Sequence, residues 1–131
     1  MIKFRAWVKE SKKMIHVGSI DLANKVIYYS YWQQSEEGNN LFGDAITFDE
    51  TVLMQSTGLF DKNGVEIFEG DIVKIKRLIG SRFLVERHKK TTQFILRANF
   101  WMEYFGTFGQ DELEVVGNIY ENPELLESVD G

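Results

Sequence analysis

The chain predicts an all-β domain on three observations. Apolar and polar residues alternate with a period of two in several separate stretches. Gly, Asn and Asp clusters break those stretches at short intervals, and β-branched and aromatic residues are plentiful while proline occurs once. A period of two places every second side chain on one face of a strand, and Gly, Asn and Asp supply the turns that join strands.

The densest instruction lies between Leu53 and Ile75, LMQSTGLFDKNGVEIFEGDIVKI. Asp61-Lys62-Asn63-Gly64 reads as a tight turn, because Gly permits positive φ, Asn tolerates it, and an Asp side chain can bond its own backbone two residues on. Val65 to Phe68 leaves this turn as a strand. Gly58, Gly64 and Gly70, spaced at six, are expected to flank turns, with Gly70 at positive φ and Asp71 capping the second turn. Val73 and Ile75 then alternate with Lys74 and Lys76.

Taken in order, residues 2–8 form a strand with Ile2, Phe4, Ala6 and Val8 on the apolar face and Arg5 and Trp7 on the polar one. Lys9 to Lys13 turns, Met14 to Ile20 is a second strand, and Asp21 to Asn24 turns again. Lys25 to Trp32 is apolar on both sides, which predicts a strand covered on both faces, its aromatics packed in a core rather than offered as a stacking platform. Gln33 to Asn40, QQSEEGNN, predicts a mobile loop. Lys74 to Leu78 and Arg82 to His88 pair around Gly80-Ser81. Thr91 to Phe105 keeps strict alternation and predicts a long or bent strand, although its Leu, Ala, Met and Glu content also suits a helix. Glu112 to Tyr120 is the last strand. Asn122-Pro123-Glu124 then opens a short helical turn, with Asn122 as cap and Pro123 where its missing donor is harmless.

At 131 residues, 44% hydrophobic and 14% aromatic, the chain suits one domain, residues 1–131, able to bury its own core. The absence of cysteine excludes disulfides and thiol chemistry. The opening MIKFRAWVKESKK lacks the apolar centre of a signal peptide, and no run reaches the ~18 apolar residues of a membrane span, so a cytoplasmic location is expected.

A net charge of −5 argues against a general polyanion binder. Between Lys74 and Lys90, however, seven cations face one acid, Glu86. Lys74, Lys76, Arg77, Arg82, Arg87, Lys89 and Lys90, with Trp101 for stacking, are therefore the candidate binding residues for nucleic acid. Exposed strand faces carry Lys and Arg for solubility and edge protection as well. No catalytic constellation is found. His16 and His88 lack the spacing of a metal helix, the 61–66 segment fails the calcium-loop pattern, and nothing separates the acidities of Glu69 and Asp71. Neither a metal nor another cofactor is expected, and the protein is not expected to be an enzyme.

Three blocks resemble the YopX family of bacteriophage and prophage proteins: IKFRAW with KKM at 12–14, LMQSTGLFDKNGVEIFEGDIV at 53–73, and VVGNIYENPELL at 115–126. Residues 76–110 fall in the family's variable middle. Val8 stands where the family tends to have Asp, and Ser56 where it tends to have an aromatic. The resemblance implies a small SH3-like β-barrel with additional N-terminal strands, encoded by phage-derived genes and acting inside a bacterial host, with no established activity. The expected function is a binding or adaptor module working through contacts with a host or phage protein, with a nucleic-acid-associated module as the alternative. The apolar edge from Val26 to Trp32 is the expected place for homo-oligomer formation.

Overall fold

The Asp61–Gly64 turn forms as the sequence predicts. In the computed structural model, which describes residues 3–99 and 101–130, Asp61 N–H donates to the Val65 carbonyl (2.8 Å) and Gly64 N–H to the Asp61 carbonyl (3.0 Å). Gly64 takes φ +79°, whereas Asn63 stays out of the left-handed region. Strand β6 (Thr51–Phe60) enters the turn and β7 (Glu66–Phe68) leaves it, with Ser56 opposite Phe68 and Phe60 opposite Glu66. Gly58 (φ +79°) lies inside β6 at an irregularity in this pairing, not in a turn between strands.

Two units make up the described chain: residues 55–130, and Lys3–Met54. The larger is built on an antiparallel sheet. β8 (Asp71–Ile75), β9 (Arg82–Arg87), β10 (Phe94–Ala98) and β11 (Trp101–Tyr104) follow one another as a meander, and β12 (Leu113–Asn118) adds beside β8. One face carries Val73, Ile75, Phe83, Val85 and Leu96, which pack with Ile67, Phe105 and Leu113. The other carries Ile72 and Leu84, and Val129 of α1 (Leu126–Asp130) covers them, so both faces of the central strands are dry. That explains why β8 is buried except at Lys74 and why Phe83, Leu84 and Val85 of β9 are buried in succession, where alternation alone predicts one wet face.

Gly70 adopts φ +87°, as expected, and Asp71 Oδ2 accepts from Phe68 N–H at 2.8 Å. The strand expected over Lys74–Leu78 stops at Ile75. The run expected as one strand over Thr91–Phe105 is instead β10 and β11, because Asn99 takes φ +54° and reverses the chain; Phe100 lies outside the described residues. Asn122 does not cap the C-terminal turn with its side chain. Its Oδ1 accepts from Asn118 N–H at 3.2 Å instead, and its carbonyl accepts from Leu125 N–H.

In the Lys3–Met54 unit, β1 (Phe4–Val8) pairs with β2 (Lys13–His16). Arg5 is buried and Trp7 half-buried, so the expected polar face of β1 is covered too, while Ile2 lies outside the described residues. The strand expected over Met14–Ile20 is two, because the chain breaks at Val17-Gly18 before β3 (Ser19–Asp21). β3, β4 (Val26–Ser35) and β5 (Gly38–Thr47) make a three-stranded sheet in that order. QQSEEGNN is therefore not a loop. Ser35 and Gly38 close the hairpin as a pair, leaving only Glu36-Glu37 between them, and Gly38 absorbs the reversal at φ +111°. Nor is β4 covered on both faces, since every residue from Ser30 to Ser35 is exposed.

Candidate functional site

Two surfaces carry chemistry beyond packing. The first is the far half of the β4–β5 ribbon. Ten residues of β4 pair with ten of β5, from Val26 opposite Thr47 to Ser35 opposite Gly38. β3 reaches only Val26, Ile27 and Tyr28, so beyond Tyr28 the ribbon has two strands and two open edges among the described residues. Side chains alternate between its faces. Tyr31 and Phe42 sit directly opposite on one face and stack at 5.8 Å between ring centres, with Tyr29 6.1 Å from Tyr31. Trp32 and Leu41 oppose each other on the second face, 69% and 57% exposed. The Tyr29 hydroxyl is pushed above its ordinary range by burial and then by the charge of Asp44 opposite it. Tyr28, Tyr31 and Trp32, expected in a core, are exposed instead, and Tyr29 is half-buried.

The second surface holds part of the basic segment. The candidate cations do not form one patch, because the sheet distributes them over two grooves and several ion pairs. Lys74 and Lys76 line a groove of about 360 Å³ together with Lys62, Asp111, Glu112 and Glu114, so the local charge there is balanced. Arg77 is a structural clamp. Its Nε lies 2.7 Å from Glu112 Oε1, its Nη2 donates to Glu112 Oε2 (2.9 Å) and to the Thr107 carbonyl (2.8 Å), and the guanidinium sits over the Phe108 ring. Hydrogen bonding from Arg77 holds the Glu112 carboxyl below its ordinary range. Arg82 reaches Ser128 Oγ at 3.5 Å. Arg87 donates to Gln55 Oε1, approaches Glu69 at 3.7 Å and lies over Phe94.

Arg87, Lys89, Lys90 and Trp101 do come together, around a second groove of about 450 Å³. It is also lined by His88, Arg97 and Met102, none of which was among the sequence's binding candidates. Arg97 is spoken for by Glu86 at 2.8 Å. Lys89 and Lys90 are exposed, with no ion-pair partner among the described residues. Their loop is held by His88, whose Nδ1 accepts from the N–H groups of Lys90 (3.2 Å) and Thr91 (3.3 Å), and by Thr92 N–H donating to the His88 carbonyl (2.9 Å). Among the described residues no three His, Asp or Glu side chains converge as a metal site, and no helix is long and apolar enough to cross a membrane.

Gly58, Asp61, Asn63, Gly64, Gly70 and Asp71, predicted as structural, line neither surface and shape the scaffold. Asp61 is the most consequential of them. Its completely buried carboxylate accepts from the N–H groups of Asn63, Val65 and Val115, each at 2.9 Å, and so ties the β6–β7 turn to β12.

A family model described as YopX protein matches residues 3–127. The crystal structure of protein EF1440 from Enterococcus faecalis is similar over 96% of this chain and 98% of its own, with 32% identity and a TM-score of 0.67. The crystal structure of protein yopX from Bacillus subtilis matches over 97% of both chains with 18% identity and a TM-score of 0.54, a likeness of fold alone. No curated protein matches the sequence significantly.

Proposed function

The chain belongs to the YopX protein family, and from that premise we propose that it is a non-catalytic binding module acting through protein contacts, with the β4–β5 ribbon as its contact element. One observation carries this reading: Trp32, Leu41, Tyr31 and Phe42 are exposed on the two-stranded, open-edged part of the ribbon, with exposed Tyr28 at its base. An isolated two-stranded hairpin is marginal in water, and an exposed apolar edge strand without Lys or Pro is a template for another strand. Asp44 is the only charged residue in β5. Aromatic side chains bury about 150–250 Å² each, and a stable interface takes roughly 800 Å² from each partner. Tyr28, Trp32 and Leu41 lie on one face and Tyr31 and Phe42 on the other, so each face supplies part of one partner's share.

The first occupant is a second copy of the chain, which gives a homo-oligomer and leaves the remaining surface for a host or phage protein. We read the β8–β12 sheet, an antiparallel meander with its last strand returned beside β8, as the SH3-like barrel of the family. The same reading makes the protein phage- or prophage-encoded and cytoplasmic in the bacterial host. Light scattering on size-exclusion peaks tests self-association. The wild type elutes as an oligomer at micromolar concentration, and Trp32→Glu with Leu41→Lys dissociates it to monomers of unchanged circular dichroism. A wild type that stays monomeric throughout the micromolar range refutes the ribbon as a self-contact.

A further inference from the structure

The groove beside the His88–Gln93 loop has a composition that the ribbon reading does not use, and it lies in the other unit of the chain. Three features single it out. Its two unpaired cations, Lys89 and Lys90, are adjacent in sequence on a short loop whose far end is strained: Thr92 is β-branched and sits at φ +61°, where such residues are seldom found. An exposed indole faces the same space, with Trp101 46% exposed and held at both ends. Its Nε1 donates to Glu103 Oε1 at 3.0 Å, and its ring meets Phe83 edge-on at 5.9 Å, so the platform is fixed before any ligand arrives. Finally, Glu86 is the one acid in the lining, and Arg97 already neutralises it. The volume, about 450 Å³, falls in the range of ~300–1,000 Å³ typical of ligand sites.

We propose that this groove binds single-stranded nucleic acid, one unpaired base stacking on Trp101 while neighbouring phosphates lie against Lys89 and Lys90. A fixed aromatic face with adjacent cations is how single strands are held without sequence selectivity, because every base has a π-face and every linkage a charge. A duplex is disfavoured. Its bases are already stacked, and two free lysines on a chain of net charge −5 cannot offset the repulsion along a double row of phosphates. Two phosphate contacts on a single strand give a salt slope of roughly −1.4, a loss of about sevenfold in affinity between 50 and 200 mM salt. The dissociation constant is expected in the range of roughly 10⁻⁴ to 10⁻⁶ M.

Fluorescence anisotropy of a labelled oligothymidylate about 12 nucleotides long tests this on the full chain, at low salt and across a salt titration. Lys89→Glu with Lys90→Glu should abolish binding. Trp101→Ala should weaken it roughly 5- to 160-fold, the measure of one stacked base, while Trp101→Phe retains most of it. Lys74→Glu with Lys76→Glu, in the separate groove, should leave it unchanged. Thermal melts of each variant separate lost binding from lost folding, and the exposed lysine reversals are the variants that must melt as wild type. Four results overturn the proposal: no binding at low salt, equal loss from the Lys74 and Lys76 reversals, tighter binding of a duplex than of the single strand, or insensitivity to Trp101→Ala with equal binding of heparin, a polyanion without bases. None of these bears on the ribbon.

Discussion

Replacing Asp61 should be the most damaging single-residue test of this scaffold. Its Oδ1 accepts from Asn63 and Val65 N–H, its Oδ2 from Val115 N–H, and the residue is fully buried. A buried N–H left without an acceptor costs about 1–3 kcal/mol. Asp61→Ala strands three, and since they share one site and can rewet together, about 3–5 kcal/mol is expected rather than the full sum. Asp61→Asn keeps one oxygen for the turn but turns an NH₂ toward Val115 N–H, so about 1–3 kcal/mol is expected there. Burial alone would raise this carboxyl, but the N–H groups of Val115, Val65 and Asn63, with the charge of Lys62, hold it below its ordinary range. A depressed folded pKa means stabilisation that is complete above the unfolded value of about 3.9 and lost as pH falls through the folded one. Urea denaturation followed by circular dichroism should therefore show a gap between wild type and Asp61→Asn that is flat from neutral pH down to about pH 5 and narrows below pH 4. An Asp61→Ala protein within 1 kcal/mol of wild type would refute the bridging role.

Two further substitutions test the backbone. Gly70→Val should cost about 1–3 kcal/mol in denaturant titration, because Gly70 sits at φ +87° where a β-branched residue is strained; an unchanged midpoint would show the turn can relax. Gly117→Ala places a Cβ 2.5 Å from Asn122 Oδ1 and 2.7 Å from Leu125 Cδ1, so it should displace the C-terminal turn from β12 and lower stability by about 1–3 kcal/mol. Faster amide exchange at Leu125 would report the displacement, and native-like exchange and stability would show that the two side chains simply step aside.

What the sequence determined by itself is local. The turns at Asp61, Gly64, Gly70 and Asp71 rest on bonds and dihedrals within a few residues, so they can be read from residue type and do form, whereas the bond from Val115 to Asp61, 54 positions away, could not be read there. Alternation likewise located most strands, including β10 and β11 in a segment whose composition also suited a helix. The tertiary structure alone decided which faces are covered. Aromatic residues at period two mark a strand equally well in a core and on an open ribbon, and the difference for Tyr31 and Trp32 lies in whether another layer stacks on them, which no nearby residue specifies. Polar Gln33 to Asn40 reads as a loop on its own, yet the cross-strand ladder beginning at Val26 and Thr47 carries it through as paired strand. The cations show the same division. Their charge is in the sequence, but Arg77 meets Glu112 across 35 positions, whereas Lys89 and Lys90 meet no carboxylate among the described residues. That sorting into clamp and open site follows only from how β8 to β12 are folded against one another.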